Sequence, residues 1–91
     1  MSHVRRYLIC YDVRDARRLR RVHRAMRDIG EPIQFSVFEA ELNAGELQAL
    51  LEKLGELIDA QLDSVSCYSL TPECQKIQLG KGPILDGLIL V

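Results

Sequence analysis

The chain has 91 residues, 47% of them hydrophobic and 27% charged, and a formal net charge of −1. That length allows one domain, residues 1–91, near the size at which a single core is only modestly stable and oligomerisation helps. No apolar stretch is long enough to cross a bilayer, and the N-terminus has neither the apolar length nor the small-residue cleavage site of a signal peptide, so no membrane role and a cytoplasmic location are expected.

The three cysteines, Cys10, Cys67 and Cys74, are odd in number and lack CxxC spacing. This argues against a disulfide scaffold or a zinc site. The net charge conceals a division. Residues 1–27 hold nine arginines and two aspartates, a formal +7, and residues 28–91 carry a formal −8. Such asymmetry points to a polyanionic partner, which the sequence pI near 6.1 hides.

In chain order, residues 4–12 read as a strand whose run Tyr7-Leu8-Ile9-Cys10-Tyr11 is typical of burial on both faces. Asp15 is a good N-cap for a helix reaching about Ile29, with Leu19, Val22, Met26 and Ile29 as its buried stripe and Gly30 placed to end it. Residues 32–42 predict two short strands, with Ser36 marking a bend or bulge. Asn43 and Glu46 have capping-box spacing for a second helix, whose apolar face is Leu47, Leu50, Leu51, Leu54, Leu57 and Ile58. Residues 63–70 alternate as a half-buried strand. The stretch KIQLG is strand-like, Gly80 to Pro83 turn the chain, and the end is apolar. The order β-α-β-β-α-β predicts an α+β, ferredoxin-like sandwich with an extra C-terminal strand. The tail, about residues 75–91, is expected to dock on the sheet edge of a second copy, making a symmetric homodimer.

At 100° per residue, Arg17, Arg21 and Arg24 form one stripe opposite Leu19, Val22 and Met26, flanked by Arg14, Arg18, Arg20 and Arg27. Solvated helix faces usually interleave both signs; here only Asp15 and Asp28, at the two ends, interrupt the series. The arginine fork suits phosphate, so these seven residues are candidate contacts to a nucleic-acid backbone, the alternative being a solvated charged face. His23, inside this series, reads as a helix-surface residue rather than a catalyst. Asp12 ends the first strand, where βα loops gather function. Because Asp15 serves as the cap, Asp12 is spare. One carboxylate is a poor metal site, but across a two-fold axis Asp12 and its symmetry mate can share one divalent ion; the alternative is a turn residue.

The segments YLICYDVRD, LRRVHRAMRDIGEPIQFSVFEAEL and DSVSCYSL resemble the CRISPR-associated protein two family over nearly the whole chain. The motifs are Tyr11-Asp12 at the strand end, Arg21-Val22 in the first helix, and Gln34-Phe35-Ser36-Val37-Phe38. The resemblance implies a ferredoxin-like homodimer in which Asp12 of each protomer holds magnesium or manganese. It implies metal-dependent endonuclease activity on RNA or, in some members, duplex DNA. It further implies a role in spacer acquisition, with the CRISPR integrase as partner and the dimer bridging it as a DNA-binding scaffold. Arg21 and Phe38 match positions important for nuclease function, and Tyr11 adjoins the metal carboxylate, so the expected catalytic set is Asp12, Tyr11, Arg21 and Phe38. Pro32 departs from the pattern where a basic or polar residue is common, removing one phosphate contact. Catalyst and non-catalytic scaffold both remain open. A base-stacking RNA module has too few aromatics and no RNP1-like segment, a small-molecule regulatory domain leaves the arginines unexplained, and a toxin-type ribonuclease of similar fold stays a competitor.

Overall fold

A computed structural model describes residues 3–75, 77 and 79. The elements are β1 (Arg5–Asp12), α1 (Ala16–Arg27), β2 (Glu31–Gln34), β3 (Val37–Leu42), α2 (Ala44–Leu57) and β4 (Ser64–Leu70). They form one four-stranded sheet in the order β2-β3-β1-β4, antiparallel throughout. This is the expected ferredoxin-like plan. The expected strand in KIQLG, the Gly80–Pro83 turn and the apolar tail lie outside the described residues, apart from Ile77 and Leu79. Among the described residues no helix is long and apolar enough to cross a membrane.

The two faces of the sheet differ because side chains alternate along each strand. Tyr7, Ile9 and Tyr11 of β1 join Phe38, Ala40 and Leu42 of β3 in a core closed by Val22, Ala25 and Met26 of α1 and Leu50 and Leu54 of α2. Leu8, Cys10 and Asp12 occupy the alternate positions. Their neighbours in register are Val37 and Ser66 for Cys10, Glu39 and Tyr68 for Leu8, and Ser64 for Asp12. Both described helices pack on the first face, and no described helix covers the second.

Local chemistry fixes the ends of the elements. Asp15 caps α1 by accepting the Arg18 N–H at 3.0 Å. The helix stops where the N–H groups of Ile29 and Gly30 both turn back to the Met26 carbonyl. A Cβ at Gly30 would lie 2.6 Å from the Glu39 carbonyl oxygen, so the turn into β2 passes against β3 at a distance only glycine permits. The capping box of α2 is complete: Asn43 Oδ1 accepts from Glu46 N, and Glu46 Oε1 accepts from Asn43 N. Ser36 turns the β2–β3 hairpin at φ 62°. Its carbonyl accepts the Tyr11 N–H at 3.1 Å, tying the hairpin tip to the end of β1. The register slips between Pro32 and Gln34, so the irregularity in pairing lies just before the bend at Ser36.

Two expectations about the core need correction. Leu51 is 40% exposed, because it sits at the outer margin of the α2 stripe centred on Leu50 and Leu54. His23 is not a surface residue. It is only 6% exposed, since it lies beside Val22 and one turn before Met26 on the inward side of α1. Its Nδ1 is 3.1 Å from the Tyr11 hydroxyl, and its ring meets Phe38 edge-on at 5.3 Å. Phe38 in turn stacks on Tyr11 at 6.2 Å. Burial pushes the Tyr11 hydroxyl well above its usual range, so it stays protonated. When it donates to Nδ1, the proton of the neutral imidazole is on Nε2, which is buried without a partner among the described residues.

Burial, and next the charge of Arg27, push the His23 imidazolium below its ordinary range. The unfolded chain therefore takes up the proton first. Stability is full above about pH 6.5 and falls as pH drops below it. In urea titrations at pH 7.5 and pH 5.5, the wild-type midpoint is expected to fall with acid, and His23→Gln to flatten that fall. Gly30→Ala is expected to cost about 1–3 kcal/mol by forcing the turn off β3, measured by the same titration.

Candidate nucleic-acid interface

The tight apolar run of β1 delivers Asp12 to the rim of the sheet, in the same row as Leu8 and Cys10 on the open face. Its carboxylate is exposed and lies 3.3 Å from the guanidinium of Arg14, which is exposed as well. The loop between them and α1 is held from below by Asp63, the residue just before β4. The Asp63 side chain is 0% exposed. It accepts Arg18 Nε at 2.7 Å, Arg18 NH2 at 3.1 Å, the Arg14 backbone N–H at 2.9 Å and the Asp59 backbone N–H at 2.8 Å. The Arg18 fork, aided by the two backbone N–H groups, holds the Asp63 carboxyl far below the usual carboxylate range despite its burial. Three segments distant in sequence meet on this one charge: the β1–α1 loop, the first turns of α1 and the α2–β4 connection.

Arg18 therefore departs from the expected row of phosphate contacts. It lies about 100° around the helix from Arg17, and Asp63 occupies its fork. Arg17, Arg20, Arg21, Arg24 and Arg27 are exposed and share one arc of α1, opposite Val22 and Met26. The helix ARRLRRVHRAMR contains no acid. Arg24 and Arg27 oppose the helix dipole at its C-terminus, whereas Arg17 stands at the N-terminal end, where positive charge is unfavourable. That arc is an uncompensated set of planar donors of the kind that takes phosphate oxygens.

The expected catalytic residues separate into two groups. Asp12 and Arg21 are exposed. Tyr11 and Phe38 are buried on the helix-covered face, Phe38 completely, so neither is placed to touch a substrate. Their expected catalytic role therefore has no direct contact at the rim to rest on; both rings pack beneath the strand that ends in Asp12. Among the described residues no three of His, Cys, Asp and Glu come together as a metal cage. Asp12 is an accessible carboxylate, and a single carboxylate per chain suits only a hard cation that keeps several waters. The residues fit magnesium or manganese on that condition. The sequence reading overlooked Asp63 and misplaced His23. Asp63 carried only the weak signal of an acid at the mouth of a strand, because its arginine partners, Arg18 and Arg14, are 45 and 49 positions away. Elsewhere, Arg6 pairs with Glu39 at 3.3 Å and donates to the carbonyls of Thr71 and Cys74, holding the chain that leaves β4.

The fold recurs in known proteins. A solved hypothetical protein from Thermus thermophilus superposes with a TM-score of 0.80 at 31% identity, covering 89% of this chain and 96% of that one. The crystal structure of Streptococcus pyogenes Cas2 gives 0.71 at 29% identity, covering 80% and 99%. In sequence, the CRISPR-associated endoribonuclease Cas2 2 of Thermodesulfovibrio yellowstonii is 40% identical over 83 residues, 90% of this chain and 91% of that protein. The corresponding Cas2 1 of Nitrosomonas europaea is 32% identical over 82 residues, 90% and 78%. The family described as CRISPR associated protein Cas2 matches residues 5–77, a span from the first residue of β1 to beyond β4 that takes in Asp12, the arginine helix and Asp63. The chain thus belongs to the Cas2 family.

Proposed function

We propose that the protein is a homodimeric, metal-dependent endonuclease of CRISPR spacer acquisition, acting in the cytoplasm on RNA or duplex DNA held by its phosphate backbone. The observation that carries this reading is the placement of Asp12: an exposed carboxylate at the rim of the sheet, next to a helix whose Arg17, Arg20, Arg21, Arg24 and Arg27 have no acidic partner among the described residues. Relatives named as endoribonucleases support the chemistry. The open face supports the dimer. Leu8, Cys10 and Val37 lie on it half-buried, Tyr68 is exposed, and a second copy of the same face is the self-complementary cover. Asp12 shares that face, so a two-fold pairing through it places two such carboxylates at one axis.

Arg17, Arg20, Arg21, Arg24 and Arg27 position the strand through sequence-independent contacts. Asp12 and its symmetry mate hold magnesium or manganese. The ion, when bound, supplies positive charge for a phosphate undergoing in-line displacement. Tyr11, His23 and Phe38 hold the end of β1 rigid, and Asp63 holds the loop beyond it.

A second reading is favoured by one observation. Among the described residues no cluster of three His, Cys, Asp or Glu side chains surrounds Asp12, which is lean for catalysis. In that reading the dimer is a non-catalytic DNA-binding scaffold that bridges copies of the CRISPR integrase.

Asp12→Asn is expected to lower Mg²⁺- or Mn²⁺-dependent cleavage of single-stranded RNA and duplex DNA by at least about 100-fold, a loss of transition-state stabilisation near 2.7 kcal/mol, without weakening duplex binding. Binding by both proteins with cleavage by neither would establish the scaffold. Replacing Arg17, Arg21 and Arg24 together by Glu is expected to weaken duplex binding. It should also reduce the slope of log K against log salt by up to about 2.7, at roughly 0.9 per lost phosphate contact. An unchanged affinity and slope in a fluorescence anisotropy titration would make the helix a solvated face.

A further inference from the structure

Arg14 is the one arginine of the basic series that an ion pair joins to Asp12. Its two halves behave differently. The backbone N–H is fixed to the buried Asp63 carboxylate at 2.9 Å, whereas the guanidinium is 68% exposed and reaches Asp12 across 3.3 Å of solvent-accessible surface. The Cα is therefore anchored while the charged end is free to change partners. The pair is of the exposed kind that contributes little and breaks readily. The guanidinium engages Asp12 Oδ2, and a positive charge 3.3 Å away opposes the entry of a divalent cation at that carboxylate. Arg17, Arg20, Arg21, Arg24 and Arg27 lie on the helix just beyond, where a polyanion would run past the loop.

We propose that Arg14 is an exchangeable counterion: it occupies the Asp12 carboxylate in the free protein and moves to a backbone phosphate when nucleic acid binds, which opens Asp12 to the metal. The inference rests on Asp12 being a metal ligand. It makes nucleic-acid binding and metal binding mutually favourable through one side chain, because the phosphate that takes Arg14 removes the competitor of the cation. Arg14 acts through Asp12 and is a positioning residue. Asp63 is what makes the exchange local, since the loop backbone stays in place while the guanidinium swings.

The test measures Mn²⁺ binding to the intact protein by electron paramagnetic resonance, without nucleic acid, for wild type, Arg14→Gln, Arg14→Lys and Asp12→Asn. Arg14→Gln keeps the backbone bond to Asp63 and removes the charge. It is expected to bind Mn²⁺ about two- to five-fold more tightly than wild type, the range an exposed ion pair permits. Arg14→Lys, which keeps the charge, should stay close to wild type. In metal-free buffer, the salt slope of duplex binding should drop by about 0.9 in Arg14→Gln, one phosphate contact. Equal Mn²⁺ affinity in Arg14→Gln and wild type, with binding still lost in Asp12→Asn, would overturn the counterion role alone. An unchanged salt slope would overturn the move to phosphate. Mn²⁺ binding that survives Asp12→Asn would remove the metal site from Asp12 and the exchange with it.

Discussion

The rim of this molecule depends on one buried carboxylate. Asp63 takes a bidentate arginine and two backbone N–H groups, and every partner comes from a different turn of the chain. A buried charge is costly unless its lone pairs are filled. Here they are filled by the segments that must be registered with one another: the loop after β1, the start of α1 and the connection into β4. The Asp12 loop is thus held by an electrostatic contact as well as by Val13, which packs against the core.

How legible this was depends on the range of the interaction. The strand ending at Asp12, the Asp15 cap, the Asn43–Glu46 capping box and the bend at Ser36 were readable because each is decided by residues within a few positions of one another. The unusual charge of α1 was readable for the same reason. What escaped is tertiary. Arg18 looks like its neighbours in the sequence, and only the position of Asp63 withdraws it from the phosphate-facing arc. His23 looks like a polar residue in a polar helix, yet Tyr11 supplies a hydroxyl and Phe38 a ring face that make burial acceptable. Tyr11 and Phe38 carried a family signal of functional importance. Their place in the core suits a mechanical contribution, since both rings lie under the helices while Asp12 projects from the other side of the same strand.

That inversion across β1 organises the rest. Residues at alternate positions of one strand either build the core, as Tyr7, Ile9 and Tyr11 do, or form the open face, as Leu8, Cys10 and Asp12 do. The core side is locked by aromatic contacts and by the hydrogen bond to His23. The Ser36 carbonyl holds the strand end from the side. Rigidity is concentrated on the covered face, and accessible chemistry on the other.

Because both described helices lie on a single side of the sheet, the face proposed for self-association is not the one that carries the arginine arc. Two copies joined through their open faces turn both basic helices outward, in opposite directions. A polyanion long enough to reach both is held twice, and release at one helix leaves it tethered at the other, so rebinding is intramolecular and governed by effective concentration. A modest grip by each helix then becomes a durable hold on long ligands and a fleeting one on short ones. In the proposed dimer, the plain asymmetry of a sheet covered on one side thereby favours long polyanions over short ones.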